Sequence, residues 1–400
     1  MNKPVIVVPS YWRKGPFQEK DCIYDHPTDL SNPEDTISET LKSFVSIKGD
    51  FDVLVIGAPT RSSIGKEMDK AVLELIENLK LPYKVYYYGF EEYITLKEYL
   101  TSQYSSNILN LFSNRGYGNI RNQCILIPHL LQYDVAILID DDEIITDQNF
   151  INKATEFIGK KFNDTTLGLI LGFYKNKDSS IFLDETKVPW WELVWNKTEM
   201  MNRSLQIIES SNSNRLVDTP FALGGNMVIH KDCWSKVPFD PLISRGEDMD
   251  YLRNVKLLGF DAKLDKSLFI IHKPPKTQTS YLDKLKQDIF RFLYASAKLE
   301  GFGINPEDYD PYPGFFLKQT EGKALLTELL HHIFHNYEKI ITARNTEEFF
   351  SKIQEMQSIF DDASKFAKKN SNFYNNFQKK WEEFMNNLQS DLHIEIVKTI

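Results

Sequence analysis

One short stretch near the middle of the chain constrains the fold more than any other. Val135-Ala136-Ile137-Leu138-Ile139 runs without a break into Asp140-Asp141-Asp142-Glu143. Five apolar residues, three of them β-branched, predict a strand buried on both faces. The four carboxylates then fall at the strand's carboxyl end, where open α/β sheets hold their ligands. Four adjacent acids repel one another unless something cationic sits among them. Carboxylate oxygens at the mouth of a cleft suit a hard divalent cation such as Mg²⁺ or Mn²⁺, which in turn holds phosphates. The competing reading is a solvated acidic turn, with Asp142 or Glu143 capping a helix.

The residues before this stretch alternate strand and helix. Residues 5–8 form a first strand that exits through Pro9-Ser10-Tyr11-Trp12-Arg13, a set of hydroxyl, aromatic and basic groups that suits a nucleotide as well as an ordinary loop. Residues 16–35 are polar and punctuated by proline, which predicts a surface loop. Helical spacing follows at 36–47, a buried strand at 51–57, an amphipathic helix at 65–79 and a third strand at 83–88. The order β-α-β-α-β predicts a parallel sheet with right-handed crossovers. Asn114-Arg115-Gly116-Tyr117-Gly118-Asn119-Ile120-Arg121-Asn122 is a Gly-rich turn opening a helix to about residue 132. Amides at a helix start, with arginine nearby, favour anions.

After the acidic stretch come a helix at 147–161, a strand at 167–173 and an irregular segment at 175–220 with Trp190, Trp191 and Trp195. Those rings either stack on a sugar or pack a core. Gly224 and Gly225 precede a short apolar strand and permit close backbone approach to a ligand. Glu247 and Asp248 head a helix to residue 258, where acids also serve as dipole partners. A strand at 268–271 closes on His272, followed by Lys273-Pro274-Pro275-Lys276. Beyond residue 280 the spacing is helical at 282–300; 301–316 is rich in Pro, Gly and aromatics and reads as a linker or lid; and the spacing is helical again at 320–389. His331, His332 and His335 lack the acidic partners of a metal motif and read as helix-surface residues.

Composition narrows the classes. A 400-residue chain that is 42% hydrophobic supports two units, or one large α/β domain with an appendage. Its net charge of −9, without a dense Lys/Arg tract, disfavours a nucleic-acid partner. Cys22, Cys124 and Cys233 are far apart and form no CxxC, which fits a reducing compartment. No apolar run approaches about 18 residues, so no transmembrane helix is expected, and the N-terminal run is too short for a signal peptide. The expectation is a cytoplasmic protein.

Taken in order, the motifs resemble glycosyltransferases of the A-type, nucleotide-sugar-binding fold, most generally the large family 2 and its relatives. The resemblance covers about residues 1–275, and its most specific part is the spacing of Leu223-Gly224-Gly225-Asn226, Arg245-Gly246-Glu247-Asp248 and Ile270-Ile271-His272. It implies a Rossmann-like α/β domain with a mainly parallel sheet over residues 1–278, then a helical C-terminal region over 279–400 that serves as lid, oligomerisation surface or acceptor platform. Asp140 and Asp142 match the Asp-x-Asp motif. The resemblance makes Asp142 and His272 the metal ligands. It places Pro9, Ser10, Tyr11, Arg115, Arg121, Asp140, Asp141, Gly224 and Gly225 around the donor, with Lys273 and Lys276 closing over its diphosphate. Glu247 and Asp248 match the acidic pair, one of which acts as general base in inverting members. One departure stands out: Gly57-Ala58-Pro59-Thr60 replaces an Asp-Asp-Gly-Ser-type turn.

The implied activity is transfer of a sugar from a UDP- or GDP-linked donor to an acceptor hydroxyl, with Mg²⁺ or Mn²⁺ and with inversion. The length and helical tail also resemble retaining, mannosylglycerate synthase-type transferases acting on small acceptors such as glycerate. A sugar-nucleotide pyrophosphorylase would carry a Gly-rich phosphate loop after the first strand, and a non-catalytic sugar-binding protein would lack the acids or His272.

Overall fold

The computed structural model describes residues 2–17, 23–31, 35–104, 111, 113–162, 164–176, 178–189, 192, 195–213, 215–275, 279, 281–319, 346–388 and 396–400. Lys276, Trp190, Trp191, Cys22 and the histidines at 331, 332 and 335 lie outside these residues.

The strands are β1 (Pro4–Arg13), β2 (Thr28–Asp29), β3 (Asp52–Pro59), β4 (Val85–Tyr88), β5 (Val135–Leu138), β6 (Glu143–Ile144), β7 (Lys161–Phe162), β8 (Thr165–Lys175), β9 (Leu216–Asp218), β10 (Met227–His230), β11 (Asp261–His272) and β12 (Lys398–Thr399). The main sheet runs β12-β4-β3-β1-β5-β10-β8-β11-β6. Strands β4, β3, β1 and β5 are parallel, as the β-α-β order predicts. β10 runs antiparallel between β5 and β8, and β11 returns to parallel beside β8. The fold is therefore mixed α/β with a mostly parallel sheet.

Val135 through Ile139 are fully buried, as a strand covered on both faces must be. The Val, Ile and Leu side chains among them each contribute about 1.5–3 kcal/mol on leaving water. β5 lies against β1, with Val7 level with Leu138, so β1 runs on past the end of β5 and carries Ser10 and Tyr11 alongside the acidic run. The Tyr117–Leu130 helix packs beside these strands and starts after Gly116, whose φ of +90° suits glycine.

Several expectations change. The segment expected as irregular at 175–220 contains a helix at Lys197–Glu209 and strand β9. The predicted helix at 147–161 shortens to Phe150–Glu156. The predicted surface loop at 16–35 carries Tyr24, which is fully buried against Tyr11 at 4.3 Å. Polar composition hid this, because the segment is held by side-chain contacts rather than by a periodic apolar face.

The chain divides into two compact units. The first comprises Met1–Ile181, Asn212–Ser280 and Phe377–Ile400; the second comprises Phe182–Ser211 and Tyr281–Asn376. In the first unit, Trp381, on the part of the Phe373–Asn387 helix that belongs to it, donates from Nε1 to the Trp234 carbonyl at 2.8 Å. β12 pairs with β4 and so covers that sheet edge. In the second unit, the Tyr281–Gly301 helix packs with Trp195, which sits 4.7 Å from Phe316 and 5.8 Å from Phe292. Trp195 is thus a core residue. Residues 301–316, expected as linker or lid, place Tyr309, Tyr312 and Phe316 in the same buried set. Among the described residues, no helix is long and apolar enough to cross a membrane.

Candidate functional site

The acidic run turns sharply as it leaves β5. Glu143 N–H donates to the Asp140 carbonyl at 3.2 Å, and Asp140 N–H donates to Glu143 Oε2 at 2.8 Å. Thr40 Oγ1 donates to the Asp141 carbonyl at 2.9 Å. This turn fans the four side chains toward different partners, which eases but does not remove the repulsion that four adjacent acids impose.

Asp140 faces Arg121, whose Nη2 donates to it at 2.7 Å. The same guanidinium donates from Nε to Glu247 at 3.1 Å. Arg121 is 3% exposed, so this is a desolvated, charge-assisted pair of bonds. Burial would depress the guanidinium's affinity for its proton, but Asp140, Tyr11 and Glu247 outweigh it and hold Arg121 firmly charged.

Asp141 faces β1 and accepts from Ser10 Oγ at 2.7 Å. Burial, reinforced by the charge of Asp142, pushes its carboxyl up to about 7, against the opposing hydrogen bond from Ser10. Tyr11 lies on the same strand end. Its hydroxyl is buried without a hydrogen-bond partner, beside Tyr24 and Tyr117.

Asp142 meets two histidines. His26 Nε2 lies 3.1 Å and His272 Nε2 lies 3.4 Å from the same oxygen, Oδ2. Burial alone would raise the Asp142 carboxyl, but hydrogen bonds and charge from His26 and His272 hold it well below the usual carboxylate range. His272 reaches this place because β11 pairs antiparallel with β6, putting His272 opposite Glu143. The Lys273 N–H then donates to the Asp142 carbonyl at 2.9 Å, and the Lys273 ammonium pairs with Glu39.

Glu143 is fully buried beside Gly225. A Cβ on Gly225 would stand 2.0 Å from both Glu143 carboxylate oxygens, so a side chain there would force Glu143 to move. Burial, and then the charges of Asp140 and Asp142, raise the Glu143 carboxyl well above its ordinary value. Its Oε1 has no hydrogen-bond partner.

Asp142, Glu143 and His272 offer ligand atoms that all lie within 4.8 Å of one another. Two carboxylates, an imidazole and an unpartnered buried carboxylate oxygen fit a divalent cation by donor chemistry and by charge. Those three residues would hold it.

The second acidic pair opens the Glu247–Leu257 helix. Gly246 precedes it at φ +68°, a left-handed turn that aims the helix N-terminus back at the β5 end. Glu247 is buried against Arg121, whereas Asp248 is half-buried, with Oδ1 accepting from Met249 N–H at 2.7 Å. Gly224 lies between them: a Cβ there would stand 3.0 Å from Arg121 Nη2 and 3.4 Å from Asp248.

Most of the residues expected at the site therefore converge. Ser10, Tyr11, Arg121, Asp140, Asp141, Asp142, Gly224, Gly225, Glu247, Asp248 and His272 all belong to the first unit. Pro9 is buried within β1 level with Ile56, one residue before the contact that Ser10 makes. Arg115 is an exposed turn residue whose N–H donates to Ser113. Asn122, grouped with the arginines by sequence, exchanges hydrogen bonds with the Phe239 backbone and braces the helix. Two contributors were not anticipated. Glu143 was visible in the acidic run, but its pairing with Gly225 was not. His26 lies 116 positions before Asp142 in a polar stretch, with no local signal for its role.

Together the fold and site define an α/β protein with an acidic, histidine-flanked centre at the carboxyl end of β5. No family model matches the sequence, and no curated protein matches it significantly. Several solved structures are similar to it. One is a mannosyltransferase, PcManGT, from Pyrobaculum calidifontis, solved with GDP-Man and Mn²⁺. It is 12% identical over 92% of this chain and 87% of that one, with a TM-score of 0.46. Another is glucosyl-3-phosphoglycerate synthase from Mycobacterium tuberculosis, solved with Mn²⁺, UDP and phosphoglyceric acid. It is 14% identical over 76% of this chain and 79% of that one, with a TM-score of 0.36. S. aureus TarS is 12% identical over 87% of this chain and 54% of its own, with a TM-score of 0.38.

Proposed function

We propose that this chain is a metal-dependent glycosyltransferase. It moves a sugar from a nucleoside-diphosphate donor to an acceptor hydroxyl, with inversion. The observation that carries the reading is the division of labour along Asp140–Glu143: one half of the run pairs with Arg121 and Ser10, the other half with His272 and an open carboxylate oxygen. A sequence that needed only a solvated turn would not bury these groups.

The roles follow from position. Ser10 and Tyr11 on β1, with Asp141 hydrogen-bonded to Ser10, would form the wall beside the nucleoside. A divalent cation held by Asp142, Glu143 and His272 would neutralise the diphosphate as its charge develops. Gly224 and Gly225 leave space for the sugar against the backbone. Asp248, the more accessible carboxylate of the second pair, receives the acceptor proton as the acceptor oxygen bonds to the anomeric carbon and the bond to phosphate breaks. Glu247, engaged by Arg121, positions rather than reacts.

The test begins with thermal shift against UDP, GDP and their sugars, with and without Mn²⁺ or Mg²⁺. A ligand at 100 times its dissociation constant adds about 2.7 kcal/mol. A metal-dependent shift with one nucleotide supports the reading, and no shift with any refutes it. With a donor in hand, Asp248→Asn should lower turnover at least ~100-fold, about 2.7 kcal/mol, while donor affinity holds. NMR of the product's anomeric proton then reads the stereochemistry; retention would remove Asp248 from the role of base.

A further inference from the structure

We propose that the first unit carries a second ligand site, at the edge of the sheet opposite the acidic centre, and that it takes a phosphorylated sugar. None of its residues belongs to the acidic centre.

A cavity of about 870 Å³ opens where β1, β3 and β5 begin and β10 ends. Its volume falls within the range of small-molecule sites, ~300–1,000 Å³. All of its lining belongs to the first unit. Pro4 and His230 in its wall both stand level with Val135, the first residue of β5, whereas the acidic run follows the last. From Pro4 to Ser10 along β1 is about 20 Å at ~3.3 Å per residue, so the two sites are separate.

His230 is the residue that points to a ligand. Its side chain is 9% exposed, yet it lines the cavity. Nδ1 is taken up by Asp232, whose N–H donates to it at 3.3 Å as the cap of the short helix after β10. Burial holds the ring below its ordinary value and so neutral, with the proton on Nε2. Among the described residues nothing accepts from Nε2. A Cβ on Gly159 would stand 2.6 Å from that atom, so the space beside it is kept open by glycine. A buried donor left without an acceptor is costly, and a ligand oxygen would satisfy it.

The wall is divided by charge. Lys160 follows Gly159 on the His230 side, and Lys3 leads into β1 with Nζ 4.2 Å from the Tyr133 ring. On the other side Asp50 and Asp52 lead into β3. In the order β3-β1-β5-β10 these sides are three strand spacings apart, about 14 Å at ~4.8 Å each. Phe51 and Ile151 supply apolar wall. Tyr133 donates to Asp52, and Arg215 pairs with Glu156 at 2.5 Å, which leaves Asp50 to accept from a ligand.

A bare anion would suit the lysines and be repelled by the acids. An anion whose body carries hydroxyl donors satisfies both sides. A sugar ring also brings an apolar C–H face for Phe51. The phosphate then lies against Lys160, Lys3 and His230 Nε2, with the hydroxyls toward Asp50.

The experiment uses the full chain in chelator, with glucose 6-phosphate, glucose and inorganic phosphate as probes. Calorimetry should show glucose 6-phosphate binding at least ~10-fold more tightly than either fragment. With ¹³C-labelled histidine, glucose 6-phosphate should move one imidazole resonance, the one missing from His230→Gln. Lys160→Glu reverses an exposed charge and should weaken binding at least ~10-fold, the loss expected for a hydrogen bond to a charged group. Asp142→Ala should bind glucose 6-phosphate as the wild type does, whatever becomes of its nucleotide binding, so the two sites are tested independently. No binding at millimolar glucose 6-phosphate, or wild-type binding by Lys160→Glu, overturns the proposal. Movement of His26 or His272 instead of His230, or loss of binding in Asp142→Ala, puts the ligand at the acidic centre and overturns it too. Inorganic phosphate binding as tightly as glucose 6-phosphate overturns the assignment to a sugar.

Discussion

Arg121 Nε lies 3.1 Å from Glu247 Oε1, and the other end of the same guanidinium holds Asp140 at 2.7 Å. The acidic end of β5 and the acidic start of the Glu247–Leu257 helix are therefore one electrostatic unit. Removing one member of a buried pair strands the other charges, which costs about 3–5 kcal/mol. Arg121→Met should lower unfolding free energy by that amount in urea. Arg121→Lys, which keeps the charge but loses the fork, should fall between the two. An Arg121→Met protein of wild-type stability would show that the pairs are not held in solution.

Asp142→Ala should abolish metal-dependent stabilisation by nucleotide, because it removes a carboxylate that the proposed cation shares with Glu143 and His272. The readout is the thermal shift with and without Mn²⁺. An undiminished metal-dependent shift in the variant would move the cation to other residues.

Gly225→Ala tests how tightly Glu143 is seated. The added methyl would lie 2.0 Å from both carboxylate oxygens, so Glu143 must turn away. Overpacking of this kind costs about 1–3 kcal/mol. Metal affinity should fall together with stability. Gly301→Ala provides a control, since a Cβ there meets nothing nearer than 3.9 Å. If Gly225→Ala binds metal as the wild type does, Glu143 is not a ligand.

Much of this was legible in the order of residues. The run from Val135 to Ile139 predicted a doubly covered strand, and every residue in it is buried. The acids at its end, the glycines at 224 and 225, and His272 announced themselves by type and by spacing, and the sheet brings them together. What escaped has a common physical cause. Partnerships such as His26 with Asp142, or Arg121 with both Asp140 and Glu247, form between segments that share no local period. The Tyr24 neighbourhood looked like solvent-facing loop because its burial comes from isolated aromatic contacts with Tyr11 and Tyr117. Likewise, the return of Trp381 to Trp234 and of β12 to the edge of β4 depends on tertiary packing that helical spacing at 320–389 does not report.

The last prediction concerns pH in the metal-free protein. The Asp141 carboxyl is raised to about 7 by burial and by the charge of Asp142, and Glu143 is raised by burial and by Asp140 and Asp142. A carboxyl raised on folding stabilises the native state least once it ionises, so this contribution declines as pH climbs from about 4, the unfolded value, through about 7. His26 is also raised: burial opposes its charge, but the hydrogen bond and charge of Asp142 prevail. Its contribution is complete below about 6.5 and is lost as pH rises through its folded value. Asp142 is held low, so its contribution is complete above about pH 4 and does not vary in this window. The changes at the acidic run and His26 therefore share one sign between pH 5 and 8; burial holds His129 and His230 below their ordinary value, which pulls the other way, but by smaller shifts than those of Asp141 and Glu143. The melting temperature of the metal-free protein should fall over that range, by an amount worth up to a few kcal/mol, and the stabilisation added by saturating Mn²⁺ should grow as the carboxylates it replaces protons on become ionised. Differential scanning calorimetry at pH 5.5, 6.5 and 7.5, with chelator or with Mn²⁺, measures both. A melting temperature that rises with pH in chelator would mean that the acidic run is already neutralised by groups other than the cation.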